Sequence, residues 1–191
     1  VRNANGRGIG IYNDVASNIT IRNVHVHDTD GNDNDNLGGI YLEGVTNFEL
    51  SNSILHDNYD HFLVGGGASD NSQDMVIFGG GGAYSIHDNL FYQTPATTSA
   101  ASGGCFKSKF GTEDLTSSFE MHHNTFRNCM FFAFGTGRRN TNFHHNVIIG
   151  GDGGIVLRNH GALNHLVNMV FEYNTFYLSG ALGINPLDMD F

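Results

Sequence analysis

The chain has 191 residues, nine lysines and arginines against 19 acidic residues, and a formal net charge of −10. This balance excludes a nucleic-acid ligand, because phosphate binding requires basic stripes. No apolar run is long enough to cross a membrane, so membrane insertion is not expected. Aromatic residues make up 12% of the chain, which favours a packed core. We expect a single domain over 1–191, and a start at Val rather than Met indicates a segment of a longer protein.

A short apolar strand recurs along the chain, and most copies are followed by a second strand. The first copies are 8–12 followed by 18–26, and 39–43 followed by 47–55. One such unit cannot bury its apolar side alone, so the units must stack on their neighbours. Further first strands are predicted near Phe62, Phe106, Phe132 and Ile155, with a truncated seventh near Leu182.

The second strands share the pattern apolar-x-apolar-x-x-Asn-x-apolar. Period-2 alternation with β-branched and aromatic residues indicates strands rather than helices. The Asn slot holds Val24, Ser53, Asn89, Asn124, Asn146 and Asn174. Asparagines that stack at one slot predict a ladder of amides hydrogen-bonded from coil to coil. The inward positions form two predicted columns: Ile19, Phe48, Tyr84, Phe119, Thr141 and Met169, then Ile21, Leu50, Ile86, Met121, Phe143 and Phe171.

This repeat pattern resembles the right-handed parallel β-helix superfamily of pectate lyases, alginate and chondroitin lyases, polygalacturonases and many phage tailspikes. The resemblance covers essentially the whole chain. It implies an all-β fold: a right-handed parallel β-helix, or solenoid, of about six to seven coils with an Asn ladder and no clear end caps. Because one fold hosts many activities, the resemblance does not by itself specify a function.

Long connections flank the first strands, whereas the turn that carries the Asn slot is never extended. They span 28–37 and 93–104 before a first strand, and 65–83, 110–118 and 158–168 after one. Long loops on a rigid scaffold usually carry binding function. We expect them to form the two walls of a cleft over the outward face of the first strands.

Basic residues occupy outward positions on this predicted cleft floor. Lys107 and Lys109 lie in the fourth coil and Arg158 in the sixth, with only Ala133 and Gly135 between them. β-Elimination of a uronate polymer requires a neutralised carboxylate, a base and a donor to the leaving oxygen. A second cation nearby favours the neutral, basic form of a lysine amine, and arginine binds carboxylate bidentately. The alternative is that these are solvated cations on a sheet face.

Two stretches are similar to the alginate and chondroitin B lyase family. They are 106–109, which is similar to that family's Lys-Ser strand, and 157–161, which is similar to its Leu-Arg-His-Gly strand. The resemblance implies Lys107 as the base and Arg158 as the acid or carboxylate partner, although here a whole coil separates them. His160 is the alternative base. The remaining candidates for substrate binding are Tyr41, Glu43, Arg138, Arg139 and Asn185.

The acidic loop after the first coil alternates Asp and Asn around a glycine. Such oxygen ligands in a flexible loop suit Ca²⁺, and Glu43 on the neighbouring coil could join them. The alternative is a solvated acidic turn, and calcium is the only cofactor that we predict. Its candidate ligands are Asp28, Asp30, Asn32, Asp33 and Asp35.

Cysteines and histidines receive structural interpretations. Cys105 and Cys129 are predicted to lie roughly 8 Å apart at a coil spacing of about 4.8 Å, so we expect two packed thiols, with a disulfide as the alternative. His87, His122 and His144 occupy one outward column on consecutive coils. We expect a ladder of stacked rings there, with binding of Zn²⁺ or Ni²⁺ as the alternative.

Together these features favour a secreted or cell-surface enzyme that cleaves an acidic, uronate-containing polysaccharide by β-elimination. One alternative is a non-catalytic structural or adhesive segment that self-associates through uncapped coil ends. Another is a carbohydrate-binding module in which Tyr12, Tyr41 and Tyr92 serve as stacking platforms.

Overall fold

The computed structural model of the chain describes residues 8–12, 16–29, 38–58, 73–94, 104–109, 118–129, 132–135, 139–150, 155–158, 167–177 and 185–187. These residues form three parallel sheets, and successive turns of the chain place one strand in each sheet. We number the coils from 1 and define each as three consecutive strands. Among the described residues, no helix is both long and apolar enough to span a membrane.

Each sheet is built from every third strand of the chain. Sheet I contains β1 (Ile9–Ile11), β4 (Gly38–Glu43), β7 (Gln73–Phe78), β10 (Gly104–Lys109), β13 (Phe132–Gly135), β16 (Ile155–Arg158) and β19 (Asn185–Leu187). Sheet II contains β2 (Ser17–Arg22), β5 (Thr46–Ser51), β8 (Gly81–His87), β11 (Ser118–His122), β14 (Arg139–His144) and β17 (Val167–Glu172). Sheet III contains β3 (His25–His27), β6 (Ile54–His56), β9 (Leu90–Tyr92), β12 (Thr125–Arg127), β15 (Val147–Ile149) and β18 (Thr175–Tyr177).

The core lies between the three sheets, where alternate residues of each strand point inward. Both predicted columns of sheet II are confirmed by the strand register, from Ile19 paired with Phe48 to Phe143 paired with Phe171. The large interior side chains of the middle coils are fully buried, among them Phe119. Stacking of these columns buries on each coil an apolar face that a single coil would expose to water.

The predicted Asn ladder is confirmed in the turn between sheets II and III. Asn124 donates through Nδ2 to Oδ1 of Asn146 at 3.1 Å, and Asn146 donates in the same way to Asn174 at 3.1 Å. The Nδ2 group of Asn124 also lies 2.8 Å from the carbonyl oxygen of Ile86 on the preceding coil. Each buried amide thus satisfies both its own polar atoms and the backbone of its neighbours.

The third coil differs from the prediction. Its first strand is β7, in which Met75 and Ile77 pair with the inward Ile40 and Leu42 of β4, and not the run near Phe62. Only residues 79 and 80 separate β7 from β8, so the long connection precedes the first strand instead of following it. At Gly80 φ is +83°, and a Cβ there would overlap the Val45 carbonyl oxygen, so this tight turn requires glycine.

Two further predictions need correction. The strand that opens the seventh coil is β19, which pairs with β16 through Asn185 and Val156, and the predicted start at Leu182 lies outside the described residues. The two cysteines form a disulfide between Cys105 and Cys129, with a Cα–Cα distance of 5.3 Å. The bond joins the first strand of coil 4 to the turn that ends the same coil. This distance lies within the range of disulfides, whereas the predicted separation did not.

Candidate functional site

Two columns of residues run along the outward face of sheet I. Along each strand, the residues of these two columns alternate with inward residues such as Ile40 and Leu42. The first column consists of Gly10, Tyr41, Val76, Lys107, Ala133, Val156 and Asn185. The second consists of Glu43, Phe78, Lys109, Gly135, Arg158 and Leu187.

The first column is closed to solvent in the middle coils. Tyr41 is 6% exposed, Val76 is 0% exposed and Lys107 is 5% exposed. The open cleft floor that we expected is therefore not found at these positions. The strand register explains part of the difference, because the apolar Val76 lies directly between Tyr41 and Lys107.

In coil 2, one hydrogen bond links the first column to the second. The Tyr41 hydroxyl donates to Oε2 of Glu43 at 3.3 Å. The Tyr12 ring lies 5.5 Å from the Tyr41 ring and remains 41% exposed. Tyr12 is thus the more accessible aromatic ring of this pair, and the Glu43 carboxylate is engaged by a side chain of its own sheet.

The second column aligns two of the predicted catalytic residues. Lys109 pairs with Phe78 on one side, and Arg158 pairs with Gly135 on the other. Continuing the register of β10 with β13 places Gly135 between Lys109 and Arg158. Two coil repeats of about 4.8 Å put the two backbone positions roughly 10 Å apart. The strand in between carries no side chain at this position.

The other predicted substrate-binding residues are more scattered. Arg139 is the first residue of β14 in sheet II, where it pairs with Val167. Asn185 lies in β19, in the first outward column. Arg138 and His160 lie outside the described residues.

Only one of the predicted calcium ligands belongs to the described residues. Asp28 has a φ of +50°, and its Oδ2 lies 2.8 Å from Nδ1 of His27. The Asp28 carboxylate is therefore engaged by an imidazole. The other candidates, Asp30, Asn32, Asp33 and Asp35, lie outside the described residues, so the calcium site stays a prediction.

A histidine cluster on sheet III was missed by sequence reasoning. His25, His27 and His56 each offer one ring nitrogen, and these atoms lie within 4.8 Å of one another. The signal was present as a His-Asp pair that recurs at the same slot of two coils, 27–28 and 56–57. The column of His87, His122 and His144 is the more regular histidine pattern in the sequence, and it was the one considered for metal binding.

The predicted histidine column is observed as a ladder of stacked rings. The His87 and His122 rings are 5.0 Å apart with a 4° interplanar angle, and those of His122 and His144 are 5.0 Å apart at 12°. Burial lowers the pKa of His122 below its usual value, and the neighbouring His87 and His144 lower it further. Two glutamates face the outer nitrogens, with Glu49 3.6 Å from His87 and Glu120 3.4 Å from His144.

A buried carboxyl group at the start of β7 was also not anticipated. Asp74 is 0% exposed, and its Oδ1 accepts hydrogen bonds from the backbone and side-chain nitrogens of Asn58 at 3.3 and 3.0 Å. Its Oδ2 has no hydrogen-bond partner among the described residues, and the Gln93 amide nearby lies outside bonding geometry. Burial raises the pKa of Asp74 well above its ordinary value. A side chain so enclosed has a structural role in this network.

The stacked parallel sheets and the amide ladder define the protein as a parallel β-solenoid with a disulfide-closed coil. The sequence model of the family described as "Right handed beta helix region" matches residues 1–176, and the chain belongs to this family. No curated protein and no solved structure matches the chain.

Proposed function

We propose that the protein binds an acidic polysaccharide along the outward face of sheet I and cleaves it by β-elimination at the second column. The observation that carries the proposal is the shared register column of Lys109 and Arg158, with Gly135 between them. A glycine at this position leaves room for a sugar ring between two cationic positions. Pairing of a uronate carboxylate with arginine makes the neighbouring C–H more acidic.

The burial of Lys107 favours Lys109 as the base in this proposal. Lys107 is only 5% exposed, so direct contact with a polymer would require the site to open. In the proposed reaction Lys109 takes the proton from the carbon next to the carboxylate, and Arg158 neutralises that carboxylate. The electron pair forms the new C=C bond as the bond to the glycosidic oxygen breaks, and that oxygen takes a proton from water.

A location outside the cell is part of the same proposal. The Cys105–Cys129 disulfide supports it, since disulfides persist mainly in oxidising compartments. Calcium bound by the acidic loop remains a proposal of its own, with the Asp28 carboxylate shared between the ion and His27.

The test is absorbance at 235 nm during incubation with alginate, polygalacturonate, and chondroitin or dermatan sulfate, each with Ca²⁺ and with EDTA. Unsaturated uronate ends raise this absorbance, and we expect a rise with one polymer. Lys109→Ala and Arg158→Ala should each lower the rate at least 100-fold, the range that general acid–base and electrostatic groups contribute. Arg127→Ala is the matched control, because Arg127 is exposed on sheet III.

Three other outcomes of this assay would change the proposal. A flat trace with all three polymers, from folded protein, would rule out elimination of these substrates. Equal activity in the Lys109 and Arg127 variants would rule out the assigned site. Activity that is lost in EDTA and restored by Ca²⁺ would show that the reaction needs calcium. The uronate carboxylate would then not be neutralised by arginine alone.

A second candidate function is structural, with coils that self-associate end to end. Interior positions of coil 6 are accessible: Phe171 is 36% exposed and Phe176 is 41% exposed, whereas Phe143 one coil earlier is 0% exposed. This apolar surface could stack on another β-solenoid. Sedimentation of the wild type and of Phe176→Asp over a range of concentrations tests it, and a concentration-independent monomer in both would refute it.

A further inference from the structure

Three imidazoles are gathered on the outward face of sheet III, where coils 1 and 2 meet. Strands β3 and β6 pair in parallel, with His27 opposite His56. Val26 and Leu55, which also pair, are both 0% exposed and point into the core. Alternation along the strands therefore puts His25, His27 and His56 together on the solvent side.

The ring nitrogens are close enough to share one cation. Nε2 of His25 and Nε2 of His56 are 2.9 Å apart, and one nitrogen from each of the three rings lies within 4.8 Å of the others. Tetrahedral zinc with Zn–N bonds of about 2.0–2.1 Å holds its nitrogen ligands roughly 3.3 Å apart. The His27 and His56 rings are stacked 4.8 Å apart with a 10° interplanar angle, so binding requires these rings to rotate until their nitrogens converge on one ion.

Two carboxylates orient the rings for this role. Oδ2 of Asp28 lies 2.8 Å from Nδ1 of His27, and Oδ2 of Asp57 lies 2.8 Å from Nδ1 of His56. A carboxylate at Nδ1 holds the proton there, which leaves the lone pair on Nε2 for a metal. Thr94 holds Asp57 in place through its backbone nitrogen at 2.6 Å and its hydroxyl at 2.8 Å.

The sheet III cluster differs from the histidine ladder on sheet II in the contacts that its ring nitrogens make. There His87 and His144 direct their outer nitrogens towards Glu49 and Glu120. Among the described residues, only the sheet III group brings three such ligand atoms together.

We propose that His25, His27 and His56 form a mononuclear site for Zn²⁺, with Asp28 and Asp57 as its outer hydrogen-bonding partners. Imidazole nitrogen suits zinc, whereas the hard oxygen donors that calcium needs are absent from this set of ligands. His25 is exposed and His27 and His56 are partly exposed, so the fourth position is open to solvent. The ion would join coils 1 and 2 on the face away from sheet I.

The test is zinc titration of the untagged chain against a fluorescent chelator, with matched single substitutions. We expect one Zn²⁺ per chain for the wild type. Asp57→Asn should weaken binding about 10- to 100-fold, as outer partners of zinc-bound histidine do. His25→Gln should weaken it more, because it removes a direct ligand at an exposed position. His122→Gln, which removes a histidine from the ladder, should leave the affinity unchanged.

Two further measurements guard against misfolding and adventitious binding. Zinc should raise the melting temperature of the wild type and of His122→Gln but not of His25→Gln, while the three metal-free proteins melt alike. Cobalt substitution should give the visible bands of a four-coordinate site in the wild type and in His122→Gln. These bands should be absent in His25→Gln. Absence of stoichiometric binding, equal affinity in His25→Gln and wild type, or loss of binding in His122→Gln would overturn the proposal.

Discussion

Replacing Asp74 with asparagine removes a buried carboxyl group while keeping the oxygen that accepts both hydrogen bonds from Asn58. Burial raises the folded-state pKa of Asp74 well above 3.8, and the charge of the nearby Asp57 raises it further. Between the two pKa values the unfolded chain has lost this proton and the folded chain retains it. Stability therefore falls as the pH rises through this window, by up to about 1.4 kcal/mol per pH unit.

The asparagine variant lacks this dependence, so its advantage over the wild type should grow with pH. Below pH 3.8 both states of Asp74 are protonated and the group contributes no pH dependence. Above that value the difference in unfolding free energy between Asp74→Asn and the wild type should increase by about 1.4 kcal/mol per unit. It should level off once the folded carboxyl ionises.

Urea unfolding of both proteins at intervals between pH 4 and pH 8 measures this difference. Groups that titrate alike in the two proteins cancel. Thr20→Ser is the control, because Thr20 is exposed on β2 and does not titrate, and its difference from the wild type should stay constant. A constant difference for Asp74→Asn as well, or a variant that loses stability relative to the wild type as the pH rises, would refute the burial argument.

Two further predictions concern the stack itself. Asn124→Ala should lower the unfolding free energy by about 2–4 kcal/mol in urea, because it leaves buried donors of Asn89 without an acceptor; a loss below 0.5 kcal/mol would contradict the ladder's role. Reduction of the Cys105–Cys129 bond, which links residues 24 apart, should cost about 3 kcal/mol. The double alanine variant should be equally destabilised and insensitive to reductant, and an unchanged wild type under reduction would contradict this estimate.

Much of the fold could be predicted because each coil repeats one pattern. The inward columns and the Asn slot are fixed by period-2 alternation, and the paired positions Phe119 and Thr141 lie where the pattern places them. Columns of outward residues follow from the same register, as the stacked rings of His122 and His144 show.

The third coil could not be placed from its local pattern. The run at 62–64 and the run at 75–78 are both short, apolar and followed by glycines. Only pairing with β4 and β10 distinguishes them, since β7 matches the inward residues of both neighbours. The lengths of the connections do not identify the first strand either, because a β-solenoid tolerates long insertions at its turns.

For the candidate sites too, some features could be predicted from the sequence and others could not. Sequence alternation alone put Lys109 and Arg158 on one face of sheet I, and the register of the strands then set them in one column. The burial of Lys107 and the Cys105–Cys129 disulfide depend on packing between chain segments, which the repeat pattern does not specify.

The sequence by itself determined the solenoid, its core columns and its amide ladder, because each of these is a repeated local pattern. Only the tertiary structure decided the contacts between residues that do not share a repeated slot. It brought His25 within 2.9 Å of His56 and enclosed Asp74 beneath Asn58. These contacts join residues 31 and 16 positions apart, and their distances depend on the path of the turns between strands, which the repeat pattern leaves open.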